Sequence, residues 1–123
     1  MKKKYKILVI DDDPDILDSM KMILEKNGFA AVTAVSGKDG VEIVKKKKPD
    51  LVLCDMMMEK IDSGITVAKA IKRISSKIPI FLISNIGTAT AYNVDVDKIG
   101  FKGVFQKPVD VDLMITKIKD VLK

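Results

Sequence analysis

The sequence has 123 residues, enough for one domain with a buried core and too few for two. Its 47% hydrophobic and 32% charged residues are typical of a folded globular protein, which excludes an intrinsically disordered chain. The net charge is +5, but the chain has one arginine and only 5% aromatic residues. This pattern favours solvated helix ends over a nucleic-acid surface, so we expect no direct DNA binding.

The cysteine and histidine contents exclude several kinds of bond and site. Cys54 is the single cysteine, which excludes an internal disulfide and favours a buried apolar role in a reducing compartment. The absence of histidine excludes His-based metal sites and His general bases. No long apolar run follows Met1, so we expect a cytoplasmic protein with no membrane partner.

Five short apolar runs alternate with helical patterns along the chain. The first run ends at Asp11. Asp13 and Pro14 then predict the start of a helix, which Asn27 and Gly28 end. The predicted strands cover residues 7–10, 30–35, 51–54, 80–83 and 104–105.

Helical patterns follow these strands. Ser36 can cap the second helix, which stops before Pro49, and the third helix carries Val67 and Ile71 at helical spacing. The pattern is weakest over residues 88–99, and a last helix begins near Asp110. The alternation predicts a three-layer, doubly wound α/β fold with helices on both faces of a parallel sheet, with residues 1–123 as a single domain and no output domain.

Polar side chains stand where the predicted strands end. Asp11 and Asp12 follow the first strand, Asp55 the third, Ser84 the fourth, and Lys107 comes shortly after the fifth. Because ligands bind at the carboxyl ends of parallel strands, we expect three acids, a hydroxyl and an amine to converge on one rim.

Such a rim requires a cation. Two carboxylates ~5 Å apart repel by about 3 kcal/mol at an effective dielectric near 20. Without histidine the ligands are oxygens, which suits Mg²⁺ or Mn²⁺. Mg²⁺ takes one or two carboxylates and a phosphate oxygen, which leaves Asp55 to attack phosphorus while Lys107 stabilises the transferring group. The Ser84 hydroxyl can then hydrogen-bond a phosphoryl oxygen.

The same segments resemble the signature blocks of response-regulator receiver domains, the CheY-like domains of two-component signalling. The blocks are residues 9–14, 49–58, 80–84 and 106–108. Their order and spacing agree with the family over essentially the whole chain. The resemblance implies a flavodoxin-like fold, a five-stranded parallel sheet in the order 2-1-3-4-5 with five helices.

The resemblance also implies the roles of individual residues. Asp55 becomes the phosphoacceptor, Ser84 the switch hydroxyl and Lys107 the phosphate-binding lysine. A histidine kinase or phosphotransfer protein would donate the phosphoryl group, and a target protein would bind the face of the fourth helix, fifth strand and fifth helix. The chain would catalyse only its own phosphotransfer and dephosphorylation. The implied metal ligands are Asp11, Asp12, Asp55 and the backbone carbonyl of Met57.

Three positions depart from the family pattern, and at one of them Gly64 comes one residue later than usual. Glu59 stands where the family usually has proline, and Val104 stands where it has an aromatic residue, with Phe105 next to it. Without that aromatic ring, Ser84 and a loop containing Asn85 and Ile86 are expected to carry the activating change. Neither Ile86 nor Met57, which flank the acceptor by resemblance, hydrogen-bonds an attacking water well, so slow self-dephosphorylation is predicted.

Three alternatives remain open. The departures at Glu59 and Val104 suit a degenerate receiver that acts as an interaction module without phosphorylation. A flavodoxin-like cofactor binder needs a Ser/Thr/Gly-rich loop after the first strand, where this chain has acids. A metal-dependent phosphatase usually has a second acid two residues after its nucleophile, where this chain has Met57.

Overall fold

The computed structural model describes residues 4–55, 63–85 and 102–122. Its strands are β1 (Lys6–Ile10), β2 (Ala30–Ala34), β3 (Leu51–Asp55), β4 (Ile80–Asn85) and β5 (Gly103–Lys107). The helices in these residues are α1 (Pro14–Lys26), α2 (Gly37–Lys47), α3 (Ser63–Ile74) and α4 (Val111–Leu122). The helix predicted over residues 88–99 lies outside the described residues.

The helix boundaries follow the capping residues that the sequence indicates. The Asp13 carboxylate accepts a hydrogen bond from the Asp15 N–H, and the Ser36 hydroxyl accepts one from the Asp39 N–H. The Asp110 carboxylate does the same for the Leu113 N–H at 3.1 Å, so α4 begins at the next residue, as predicted.

The five strands form one parallel sheet in the order β2-β1-β3-β4-β5, which confirms the predicted fold class and strand order. β4 and β5 each extend two residues beyond the predicted strands, because Asn85 still pairs with Lys107. Lys107 is therefore the last residue of its strand, and Ser84 also lies inside β4 rather than after it.

Helices cover both faces of the sheet and bury one hydrophobic cluster on each. On one face, Val9 and Leu53 contact the cluster formed with α1 and α4, which contribute buried residues such as Leu24 and Met114. On the other face, strand residues such as Leu82 pack with buried residues of α2 and α3. Burial on both faces explains why the strands are continuous apolar runs.

Side chains along a strand point alternately to the two faces of the sheet, so residues two positions apart lie on the same face. Asp11, Asp55 and Lys107 continue the α1 and α4 face, because they are two residues after Val9, Leu53 and Phe105 of that cluster. Ser84 continues the α2 and α3 face. No helix among the described residues is both long enough and apolar enough to cross a membrane.

Candidate functional site

Three carboxylates meet at the carboxyl end of the sheet. Asp11, Asp12 and Asp55 each offer an oxygen, and these atoms all lie within 4.8 Å of one another. Asp11 and Asp55 are buried, at 2% and 4% exposure, whereas Asp12 is exposed. The convergence predicted from the strand ends is confirmed for these three acids.

The β1 end and the α1 cap hold Asp11 in place. Its backbone N–H donates to the Ala34 carbonyl at 3.1 Å, and its Oδ1 accepts the Asp13 N–H at 2.9 Å. Burial raises the pKa of Asp11 from 3.8 to about 6; the Asp55 and Asp12 charges add to this, while the Asp13 hydrogen bond and Lys107 oppose it. Asp13 thus has a second role that the sequence did not indicate, since backbone donors leave no residue-type signal.

Lys107 places its ammonium between the two buried carboxylates. Its Nζ lies 3.5 Å from Asp55 Oδ2 and 3.9 Å from Asp11 Oδ2. The lysine side chain is a quarter exposed, so part of its charge stays in contact with water. One ammonium facing a three-carboxylate cluster leaves negative charge uncompensated, and this favours binding of a cation.

Ser84 is buried at 1% exposure, and its Oγ has no hydrogen-bond partner among the described residues. Leaving a buried hydroxyl without a partner costs roughly 1–3 kcal/mol. A hydroxyl in this state gains from any acceptor that comes within reach, which agrees with the predicted donor role but does not test it.

The two candidate switch residues of β5 lie on opposite faces of the sheet. Phe105 is buried and stacks on Phe81, with ring centroids 4.9 Å apart. Val104 is partly buried and packs on the α2 and α3 cluster. Sequence reasoning missed Phe81, because nothing in the pattern gives the register of β4 against β5.

Two of the remaining residues singled out from the sequence, Cys54 and Asn85, lie within the described part of the chain. Cys54 is fully buried, which raises the pKa of its thiol above the usual range and agrees with the predicted apolar role. Asn85 ends β4 and pairs with Lys107. Met57, Glu59 and Ile86 lie outside the described residues.

The carboxylate cluster fits a small oxygen-loving dication. Ligands about 2.1 Å from an octahedral Mg²⁺ lie roughly 3–4 Å apart. The 4.8 Å limit on the oxygen separations therefore requires only a small contraction. Exposed Asp12 leaves one side open to water, which suits an ion that keeps much of its hydration shell.

The fold and the carboxylate cluster together define a doubly wound α/β domain of the receiver class. Residues 7–119 match the family of the response regulator receiver domain. The chain therefore belongs to this family of two-component response regulators.

Similar proteins of known identity agree with this assignment. Chemotaxis protein CheY of Bacillus subtilis is 35% identical over 119 residues, covering 96% of this chain and 98% of CheY. The transcriptional regulatory protein GlrR of Escherichia coli is 31% identical over 124 residues, but this chain spans only 27% of it. A response regulator receiver domain from Clostridium thermocellum superposes with a TM-score of 0.88 at 30% identity, covering 96% of this chain and 94% of that one.

Proposed function

We propose that this receiver is a phosphorylation-dependent signalling switch, in which Asp55 takes a phosphoryl group from the phosphohistidine of a kinase or phosphotransfer protein. The observation that carries the proposal is the cluster of three carboxylate oxygens within 4.8 Å, with the Lys107 ammonium 3.5 Å from Asp55. Such a cluster is costly in a folded protein unless a ligand uses it.

Asp55 is proposed as the nucleophile because its Oδ2 is nearer to the Lys107 Nζ, at 3.5 Å, than that of Asp11, at 3.9 Å. An Asp55 carboxylate oxygen forms the bond to phosphorus while the phosphorus–nitrogen bond of the phosphohistidine breaks, and the departing imidazole takes up a proton from solvent. Asp11 and Asp12 would hold Mg²⁺, which supplies charge neutralisation at the phosphoryl oxygens when bound. Exposed Asp12 would hold the ion from the solvent side.

Lys107 stabilises the transferring group and the product. Phosphorylation replaces the single negative charge of Asp55 with about two negative charges. The Lys107 ammonium is already beside Asp55, so no rearrangement of the chain is needed to bring a positive charge to the new oxygens. Autophosphotransfer and autodephosphorylation are the only reactions that this site is proposed to catalyse.

The output is proposed to pass through Ser84. Its hydroxyl lacks a partner among the described residues, so a phosphoryl oxygen would offer it a bond. The neighbouring Phe105 ring is fixed against Phe81, and Val104 carries no ring, so an aromatic swing is not part of the proposed switch. A shift of Ser84 and the end of β4 would alter the predicted target face, which consists of the predicted fourth helix, β5 and the last helix, α4.

The donor protein is proposed to contact an apolar recess beside the carboxylates. A cavity of about 330 Å³ lies between α1 and the segment after β5. Ile16, Met20 and Val109 give it apolar walls, and Asp11 and Lys107 form its polar side. A partner that packs into this recess would lie next to Asp55 without covering it.

A phosphoryl-uptake experiment tests the proposal. The purified chain is incubated with acetyl phosphate and Mg²⁺ and its intact mass is measured. Wild type is expected to gain one phosphoryl group, which Asp55→Asn and added chelator both abolish. Asp50→Asn is the matched control, because Asp50 immediately precedes the strand that Asp55 ends. Absence of a mass gain in folded wild type would overturn the proposal and favour the degenerate interaction module.

A further inference from the structure

The fold gathers basic side chains at the end of the sheet opposite the carboxylates. All five strands are parallel, so the helices end and the strands begin at this same end. We call this surface the basic end and define it by the basic residues at the ends of α2 and α3 and in the segments that precede β4 and β5. These are the lysine run 45–48, Lys72, Arg73, Lys77 and Lys102.

The positive charge of the basic end exceeds what the helix ends require. Each helix C-terminus carries roughly half a negative charge, so the ends of α2 and α3 offset about one of the eight positive charges. Carboxylates are few at this end of the described chain: Glu25, Glu42, Asp50 and Asp120, and the Glu42 Oε1 lies 3.7 Å from the Lys45 Nζ. Of these, Asp50 already accepts the Lys6 backbone N–H at 2.8 Å. Solvated helix ends therefore account for only part of the charge.

A cleft gives the basic end a concave centre. Its volume is about 590 Å³, and Lys77 and Lys102 line it together with Pro79, Asp120 and Leu122. The Lys102 charge also acts on Lys72, since burial first and then that charge lower the pKa of Lys72. The Lys72 Nζ donates to the Ile78 carbonyl at 2.7 Å and so stays beside the loop that leads into β4.

The residue types decide which anionic partner fits best. Protein interfaces are depleted of lysine and enriched in aromatic residues and arginine. The basic end holds seven lysines and one arginine, and the only exposed aromatic residue described at this end is Tyr5, just before β1. Stable attachment to an anionic membrane needs an apolar anchor besides the charges. Lysine ammonium groups do suit a dense row of phosphates, where each one releases a condensed counterion and no base is read.

We propose that the basic end binds the phosphate backbone of double-stranded nucleic acid without sequence preference. The cleft between Lys77 and Lys102 receives the backbone, and the lysine run 45–48 extends the contact along the duplex. The sequence alone favoured solvated helix ends because the lysines stand at the ends of predicted elements and the chain has a single arginine. The parallel fold is what assembles them on one surface, away from the proposed phosphoacceptor.

The test is a fluorescence-anisotropy titration with a labelled duplex DNA of about 20 base pairs in arbitrary sequence. Neutralising four to six phosphates should make the affinity fall roughly 10²- to 10³-fold between about 50 and 200 mM salt. Lys77→Glu combined with Lys102→Glu should weaken binding at least about tenfold at low salt. The matched control, Lys21→Glu with Lys38→Glu, has the same net charge but leaves the basic end intact, and it should bind nearly as wild type does.

Further outcomes keep the proposal falsifiable. Circular dichroism shows whether each variant is folded, and chemical-shift mapping of duplex DNA on the wild type needs no variant. Equal weakening by both charge-reversal pairs would show that net charge alone attracts DNA and would overturn the proposal. Binding to phosphatidylglycerol vesicles but not to DNA would overturn the proposal in favour of a membrane surface. Chemical-shift changes confined to the carboxyl end of the sheet would also overturn it, because the DNA would then bind elsewhere.

Discussion

The carboxylates at the two ends of the sheet differ in burial and in hydrogen bonding. At the amino end, Asp50 accepts the Lys6 backbone N–H, and the Lys6 Nζ donates to the Lys47 carbonyl at 3.0 Å. At the carboxyl end, Asp11 and Asp55 are buried side by side. Asp50 thus stabilises the folded chain, whereas the buried pair of Asp11 and Asp55 raises the free energy of the folded state. This difference indicates that the carboxyl end is shaped for a ligand. Variants at the two ends should therefore differ in their effects on phosphotransfer and on stability.

The largest expected effect is on phosphotransfer. Lys107→Ala removes the ammonium beside Asp55 and should slow phosphoryl uptake from acetyl phosphate roughly 10²- to 10³-fold, as loss of a preorganised charge does at other phosphoryl and acyl sites. Lys102→Ala, which removes an ammonium just before the start of the same strand, should leave the rate unchanged. Equal rates for wild type and Lys107→Ala would contradict the role given to Lys107.

The next largest effect is expected on the pH dependence of the free energy of unfolding, which Asp11 controls at the carboxyl end. The pKa of Asp11 is about 6 in the folded chain against an ordinary 3.8, so the folded state binds this proton more tightly than the unfolded state. The resulting stability is complete below pH 3.8 and is lost as pH rises to about 6, a change of about 3 kcal/mol in the free energy of unfolding. Urea denaturation with chelator from about pH 4 to 7 measures it, and a flat difference between wild type and Asp11→Asn would contradict it.

Asp11→Asn should itself stabilise the metal-free chain at neutral pH, by about 2 kcal/mol. The amide keeps an acceptor for the Asp13 N–H while removing a buried charge next to Asp55. Denaturant midpoints of the two proteins in chelator give the measurement. A loss of stability in the variant would show that Asp11 belongs with Asp50 as a structural carboxylate.

The smallest effect is expected at the amino end. Asp50→Ala leaves the Lys6 N–H without its acceptor and should destabilise the chain by about 1–2 kcal/mol. Because Asp50 has no part in the proposed chemistry, the rate of phosphoryl uptake should not change. A variant as stable as wild type would remove the contrast between the two ends.

Much of the fold and the carboxylate cluster could be predicted from sequence because each depends on local signals. Asp13, Ser36 and Asp110 mark helix starts, and apolar runs that end in Asp11 and Asp55 mark one rim of a parallel sheet. These signals need no knowledge of how one strand lies against another.

What could not be predicted depends on register and on assembly. The sequence places Val104 and Phe105 side by side, but only the pairing of β4 with β5 shows that Phe105 stacks on Phe81 while Val104 faces α2 and α3. A shift of one residue would exchange their faces. The basic end escaped prediction for a related reason, since its lysines come from separate segments that only the parallel topology brings together.

Binding of Mg²⁺ tests the central claim most directly. Calorimetric titration of MgCl₂ into the chelator-treated chain should show one site per molecule. Asp12→Asn should weaken that binding at least about tenfold, since it removes one charged oxygen ligand and leaves the buried pair unchanged. If wild type and Asp12→Asn take up Mg²⁺ equally, or neither does, the three carboxylates do not form a cation site.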